Sequence, residues 1–128
     1  KKDIINSSLR KNIKSSGEHM VAIDEKGKTA STVFFRSRLY KDATLAKIEL
    51  ITGRTHQIRV HSASMGNFVI GDKKYGDKTV NYKYRKLGLK RMFLHAKSLN
   101  FFSPVTKKRI IIEAKLEKSL TEFLDKLD

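Results

Sequence analysis

Residues 52–61 read TGRTHQIRVH, and this stretch decides how the rest of the chain is interpreted. It follows an alternating run at residues 43–51 that predicts a strand, and it leads into residues 60–65, which predict a helix ending at Gly66. Two arginines, two histidines, a glutamine and two hydroxyl groups share these ten residues with Ile58 and Val60. Because neither a core segment nor a solvated one usually has this composition, we interpret the junction as a functional site.

The junction has features of an anion site. Gly53 permits a tight turn, and the hydroxyl of Thr55 is a candidate N-cap for the following helix. Free backbone N–H groups in the first turn would favour a phosphate or carboxylate. On such a helix His56, Arg59 and Ala63 share one face. The alternative is that the arginines are solvated charges and the histidines ordinary polar residues.

The charge of the chain indicates a polyanionic partner. Its 128 residues contain 28 lysines and arginines against 13 acidic residues, a formal net charge of +15. A domain this basic most simply binds nucleic acid. The competing interpretation is a lysine-rich surface that serves only solubility.

Residues 73–91 concentrate this charge. Eight basic residues alternate there with Tyr75, Tyr82 and Tyr84. Lysines that meet phosphates and rings that stack on bases suit an RNA surface, and a charged, mobile loop without a partner is the alternative. Just before this stretch, Asp72 is a candidate to cap a turn or to pair with a nearby arginine.

The overall pattern predicts one α+β domain with a mixed, mainly antiparallel sheet and two or three helices. Residues 1–17 are expected to be an extended lead-in with little regular structure. Strands are predicted at residues 21–23, 28–40, 43–51 and 109–114, the last buried on both faces because of Ile110-Ile111-Ile112. A final helix is predicted from the capping-box spacing of Ser119 and Glu122. Its core positions are Leu116, Leu120, Phe123, Leu124 and Leu127.

Several classes of chemistry find no support in the sequence. There is no cysteine, so disulfides and thiolate metal sites are excluded, and a reducing, cytoplasmic location is expected. No apolar run approaches a membrane span, and the N-terminus does not resemble a signal peptide. His56 and His61 have the wrong spacing for one metal site. Neither glycine-rich nucleotide motif occurs.

Taken with three later blocks, the TGRTHQIRVH stretch resembles the RluA/RluC-type RNA pseudouridine synthases. The later blocks are Gly71-Asp72 after Ile70, Tyr75-Gly76, and Phe93-Leu94-His95-Ala96, in the order and spacing of that family. Residues 27–30, GKTA, also resemble a segment near the family's arginine motif. The resemblance covers roughly the last hundred residues.

The resemblance implies isomerisation of uridine to pseudouridine in structured RNA, most simply large-subunit rRNA, with no cofactor or metal. It implies that Arg59 pairs with a nucleophilic aspartate and keeps it ionised, and that Leu94 packs near the target base. The candidate substrate-binding residues are Leu94, Arg54, Thr55, His56, Gln57 and Tyr75.

One departure from the family bears on activity. The nucleophile of the family lies in an Arg-Leu-Asp motif, and no aspartate of this chain follows Arg-Leu. We therefore interpret residues 1–128 as the C-terminal portion of a pseudouridine synthase catalytic domain, cut from a longer chain and inactive alone. The alternative is a non-catalytic RNA-binding module. Strands that lose their sheet partners would leave exposed edges, so self-association of this piece, or partial disorder of its N-terminal segment, is also expected.

Overall fold

The computed structural model describes residues 1–127, and its seven strands and three helices confirm the α+β class. In chain order the elements are β1 (Lys2–Ile5), β2 (Leu9–Ile13), β3 (His19–Ile23), β4 (Thr32–Leu39), β5 (Thr44–Leu50), α1 (Gln57–Ser64), α2 (Lys78–Lys86), β6 (Ser98–Phe102), β7 (Arg109–Glu113) and α3 (Lys118–Asp125). None of the helices in this described part is long and apolar enough to cross a membrane.

The strands form three antiparallel sheets. The largest has the order β1-β4-β5, while β2 pairs with β3 and β6 pairs with β7. The short connection after Leu39 makes β4 and β5 antiparallel neighbours, as predicted, with Leu39 opposite Thr44 and Thr32 opposite Leu50. Strand β4 begins at Thr32 rather than residue 28, because Lys28 forms only an isolated bridge with Leu9.

The prediction for residues 1–17 was wrong. Strand β1 adds to the edge of β4, with Lys2 opposite Phe35, and β2 forms a hairpin with β3, with Leu9 opposite Ile23. The hydrogen bonds of β1 come from a segment about thirty residues away, so the local sequence carries little trace of them. The strand predicted at residues 21–23 is confirmed as part of β3.

Two apolar clusters hold the elements together. The first, formed by Leu9, Val21, Ala30 and Val60, packs β2 and β3 against α1, and Tyr75 covers it. The second contains Tyr84, Leu89, Leu120 and Phe123, so it joins α2 to α3. Phe93 and Ile70 pack on this second cluster. Between them the two clusters position α1, α2 and the loop that connects these helices.

Helix α2 was not predicted from the sequence. It begins after Asp77, whose side chain accepts a hydrogen bond of 2.9 Å from the backbone N–H of Val80, and Lys83, Arg85 and Lys86 occupy its last turn. An aspartate N-cap and a basic C-terminal turn are both ordinary helix signals. These signals were overlooked because the segment is so rich in lysine and tyrosine. Within the predicted charged surface, Lys78–Lys86 form a helix rather than a loop.

The strand predicted at residues 109–114 forms as β7, but it is not buried on both faces. Ile111 and Ile112 are exposed, as are Leu99, Phe101 and Phe102 of the partner strand. A β-branched run indicates a strand without showing what covers it, and a two-stranded ribbon has little surface of its own to cover either face.

Helix α3 confirms four of the five predicted core positions and corrects the predicted cap, whereas Leu124 is only half-buried and lies outside the cluster. Leu120 and Phe123 are buried, and Leu116 and Leu127 pack against them. The N-cap is Glu117, with no side-chain capping bond, and the hydroxyl of Ser119 donates to the Glu117 carboxylate instead. Because Ser119 already lies inside the first turn, the capping box with Glu122 does not form.

Candidate functional site

The strand-to-helix junction forms as predicted, but His56 rather than Thr55 occupies the N-cap of α1. His56 has φ +53° and ψ +21°, a left-handed conformation, and no side-chain capping bond forms. Thr55 is exposed and has no hydrogen bond within residues 1–127. A non-glycine residue in this conformation carries backbone strain, which is frequent at functional sites. Hydrogen bonds of the His56 and Gln57 side chains hold the backbone in this sharp turn.

Gln57 organises the junction from inside. Its side-chain oxygen accepts from the Thr52 hydroxyl at 2.8 Å and from the Arg54 backbone N–H at 2.9 Å. Its amide nitrogen donates to the Ser31 carbonyl at 2.9 Å and to the Thr32 hydroxyl at 2.8 Å. These four bonds use the full capacity of a carboxamide. Gln57 is also buried, so this geometry argues for a positioning role and against direct contact with substrate.

The network continues to a second buried histidine. His61 lies 2.8 Å from the Thr32 hydroxyl through Nδ1 and 2.8 Å from the Ser7 carbonyl through Nε2. A carbonyl only accepts, so Nε2 carries the proton, and in the neutral ring Nδ1 accepts from Thr32. This chain of bonds fastens α1 to β4 and to the connection between β1 and β2. The sequence analysis did not assign this role to His61. The only feature of the sequence that could have indicated it is the position of a histidine on the inner face of a short helix.

Arg59 and Asp72 form the central ion pair. Arg59 Nε donates to Asp72 Oδ2 at 2.9 Å, and Nη2 donates to Oδ1 at 2.8 Å. The Asp72 side chain is 1% exposed and the Arg59 side chain 18% exposed. This side-on, two-bond geometry fixes the plane of the guanidinium. It confirms the suggestion that Asp72 pairs with an arginine, and it leaves Nη1 of Arg59 without a partner among residues 1–127.

The protein keeps the Asp72 carboxylate ionised despite its burial. Burial alone raises the pKa of Asp72, but hydrogen bonds from Arg59 and from the backbone N–H groups of Tyr75 and Lys74 outweigh it, so the net pKa is lowered. The two backbone bonds are 3.1 and 2.9 Å long. The hydrogen bond from Arg59 to Asp72 raises the arginine pKa in turn. Gly76 completes the turn, since a Cβ there would lie 2.3 Å from the Asp72 carbonyl oxygen.

Tyr75 joins the ion pair to the junction. The Arg59 guanidinium carbon lies 5.0 Å from its ring centroid, and the His56 ring meets it edge to face at 5.5 Å. The Tyr75 hydroxyl accepts from the Val21 backbone N–H at 2.9 Å and lies 2.8 Å from His56 Nδ1. The hydroxyl thus links the Val21 backbone to the imidazole of His56.

The surroundings of His56 favour its neutral form. Burial lowers its pKa, and the positive charges of Arg59 and Lys74 lower it further. At neutral pH the ring accordingly carries no charge beside the guanidinium. His56 and Arg59 thus meet on one side of α1, as the helical spacing predicted, with Tyr75 between them.

The ion pair opens onto a cleft of about 310 Å³ between α1, α2 and the loop that follows α2. Leu94 belongs to that loop and is half-buried, whereas its neighbour Phe93 packs into the second core cluster. Arg54 lies apart from the ion pair, with its Nε donating to the Thr29 carbonyl at 2.9 Å. No group of three or more histidine, aspartate or glutamate side chains in the described residues is arranged to hold a metal ion.

Comparisons with known proteins identify the family of this chain. A family model described as RNA pseudouridylate synthase matches residues 1–64. The chain is 42% identical over 125 residues to the ribosomal large subunit pseudouridine synthase C of Haemophilus ducreyi, covering 98% of this chain and 39% of that protein. The protein of the same name from Haemophilus influenzae is 43% identical over 124 residues, covering 97% and 38%.

A solved structure of a protein with a similar name has the same fold as this chain. Human RNA Pseudouridylate Synthase Domain Containing 1 superposes with a TM-score of 0.69 at 26% identity, covering 93% of this chain and 51% of that one. This chain spans about 39% of the length of the Haemophilus ducreyi relative.

Proposed function

Since the chain belongs to the RNA pseudouridylate synthase family, we propose that it is part of an enzyme that isomerises specific uridines to pseudouridine in large-subunit rRNA. In this reaction the N1–C1′ bond of the nucleotide breaks, the uracil turns, and a C5–C1′ bond forms. The proton on C5 is lost and N1 gains one, so no oxidant, metal or cofactor is required. The target base must leave its stack to be reached.

The observation that carries this proposal is the fixed guanidinium of Arg59. Its Nε and Nη2 are held by Asp72, and its Nη1 has no partner among residues 1–127. A carboxylate supplied by an upstream segment would find a rigid cation at that nitrogen, which would favour its ionised, nucleophilic form. Asp72 is itself nearly fully buried and saturated with donors, so it serves to position Arg59.

The family resemblance assigns roles to the other candidate residues. Leu94, half-buried in the loop that follows α2, would offer an apolar contact to the uracil ring. Tyr75 and His56 support the guanidinium from the side of α1. Arg54 and Thr55, both exposed near the junction, are candidates for contact with the RNA backbone.

We expect the 128-residue chain alone to release no tritium from RNA labelled at C5 of uridine, because no aspartate in it follows Arg-Leu. The full-length protein should release it. Tritium release by the isolated chain at a rate comparable to the full-length protein would show that the nucleophile lies within these residues.

In the full-length protein, Arg59→Ala should lower the rate of tritium release by at least about a hundredfold, since removal of a preorganised charge contact typically costs that much. RNA binding should change little, because Arg59 is only one of many cations. Arg36→Ala, an exposed arginine of β4 without a side-chain partner among residues 1–127, is the matched control and should retain most activity. Normal turnover by the Arg59 variant would contradict the assigned role.

A second candidate function is a non-catalytic RNA-binding module. The basic surface of the chain serves either role equally well. The upstream sequence of the parent gene separates the two. An Arg-Leu-Asp motif within roughly a hundred residues of Lys1, the usual reach of one domain, supports the enzyme, and its absence supports the module.

A further inference from the structure

The cleft beside Arg59 is lined by more positive charge than the ion pair accounts for. Five of its lining residues are cationic, namely Arg59, Lys73, Arg85, Lys90 and Arg91, and one, Asp72, is anionic. Arg59 is neutralised by Asp72, and Arg91 pairs with Glu117. Lys73, Arg85 and Lys90, which we call the rim cations, are exposed and have no side-chain partner among residues 1–127.

The wall that carries Arg85 is fixed relative to the ion pair. Asn81, one helical turn earlier on α2, accepts from the Gly71 backbone N–H at 2.8 Å and donates to the Asp72 carbonyl at 2.9 Å. Because residues four apart share a helix face, this bridge aims Arg85 toward the same cleft.

The wall that carries Lys90 is also fixed. The Arg91 side chain donates to the Met92 carbonyl at 3.1 Å and to the Leu94 carbonyl at 2.7 Å, and it pairs with Glu117 at the start of α3. Gly71 lets this loop approach closely, since a Cβ there would lie 2.7 Å from the Arg91 carbonyl oxygen. The cleft therefore has two fixed walls, with Arg85 on α2 and Lys90 on the loop that follows it, and Lys73 lines the same cleft next to Asp72.

We propose that the rim cations bind the RNA backbone next to the target nucleotide, with a phosphodiester held by the Arg85 guanidinium and the ammonium groups of Lys73 and Lys90. A guanidinium presents paired donors to phosphate oxygens, and lysines add charge without fixed geometry. The inference rests on the proposed function for its choice of RNA. Arg59 lies further in, so a nucleotide that enters the cleft meets the rim cations first.

This site explains why the cleft can accept a second carboxylate. Arg59 and Asp72 together carry no net charge. A nucleophilic carboxylate from an upstream segment would therefore add one negative charge that the ion pair does not offset. Three unpaired cations at the rim offset that charge and also attract the phosphates on either side of the target base.

The test compares two triple variants of the full-length protein that remove the same charge. Lys73→Gln, Arg85→Gln and Lys90→Gln are combined in the first. The second combines Lys11→Gln, Lys47→Gln and Lys115→Gln, three exposed lysines without side-chain partners in the described chain and outside the cleft. Binding to a structured rRNA fragment is measured from 50 to 400 mM salt, and circular dichroism melts check that both variants fold.

We expect the rim variant to bind at least about tenfold more weakly, since each lost bond is to a charged group. Its salt slope should fall by about 0.7, the value for the loss of one phosphate contact. The control variant should keep the slope of the unsubstituted protein. Equal weakening by both triples would overturn the site, because the effect would then be net charge alone.

Two further measurements sharpen the result. Arg85→Lys alone should retain the salt slope and lose affinity, because the charge remains while the paired donors are lost. With saturating RNA the rim variant should release tritium at a kcat within about threefold of the unsubstituted protein and with a raised KM. A lowered kcat at unchanged KM would overturn the binding role. Absence of tritium release by the unsubstituted protein would refute the proposed function while the binding comparison still tests the rim site.

Discussion

At the scale of single residues, the site depends on how Arg59 is held. Its guanidinium contacts the Asp72 carboxylate on one edge and the Tyr75 ring on its face, and Tyr75 is in turn fastened to Val21 and His56. Lysine could supply the charge at position 59, but it could not make the two parallel hydrogen bonds. The orientation of the positive charge is therefore a property of this constellation and not of Arg59 alone.

Asp72→Asn should destabilise the chain by roughly 2 to 4 kcal/mol at pH 7, somewhat below the fully buried case because Arg59 is partly exposed. The pKa of Asp72 is lowered in the folded chain. Its stabilisation is consequently complete above the unfolded pKa of about 3.9 and is lost as the pH falls through the folded value. Urea unfolding across pH 3 to 7 measures this.

The difference in free energy of unfolding between the unsubstituted chain and the Asp72→Asn variant should therefore shrink below about pH 4. Asp125→Asn, an exposed aspartate at the end of α3 without a side-chain partner in residues 1–127, is the control and should cost almost nothing. A pH-independent difference would mean that Asp72 acts through shape and not through its charge.

At the scale of secondary-structure elements, α2 is positioned by two buried side chains. Asn81 bonds to the backbone of Gly71 and Asp72, while Tyr84 on the same helix packs into the second core cluster. The two contacts orient α2 so that its basic residues border the cleft. A lysine-rich segment that would be mobile in isolation thus becomes a rigid wall.

Asn81→Ala should lower the free energy of unfolding by about 2 kcal/mol, because the Gly71 N–H and the Asp72 carbonyl lose their buried partner. Thr79→Ala, an exposed position on the same helix, is the control and should fall within about 0.5 kcal/mol of the unsubstituted chain. Chemical denaturation gives both values. An effect of Asn81→Ala no larger than the control would mean that α2 is held by its apolar contacts alone.

At the scale of the whole molecule, the ribbon of β6 and β7 is uncovered. Leu99, Phe101 and Ile112 are exposed on one face of the ribbon, and Phe102 and Ile111 are exposed on the other. Exposed apolar patches of this kind often mark an interface. In a solution of the isolated chain, a second copy can cover these faces. Its net charge of +15 opposes such contact at low salt.

The isolated chain should therefore self-associate more strongly as salt rises from 50 to 500 mM, because screening removes the repulsion and leaves the apolar attraction. RNA binding should show the opposite salt dependence. Ile111→Thr with Phe101→Thr should reduce the association in sedimentation velocity, whereas Val105→Thr, 87% exposed at the turn of the ribbon, should not. A monomer at every salt concentration would contradict the prediction.

The sequence by itself determined the α+β class, the strand-to-helix junction at residues 52–61, the amphipathic face of α3 and the family. Each of these follows from a local pattern. The period of the hydrophobic residues, the spacing of the functional residues and the order of the motifs are visible in the sequence without a structure. Only the tertiary structure decided that Asp72 is the partner of Arg59, that Gln57 points inward, and that β1 pairs with β4. Hydrogen bonds and ion pairs join segments far apart in the chain, and a local pattern shows which face is buried but not which segment covers it.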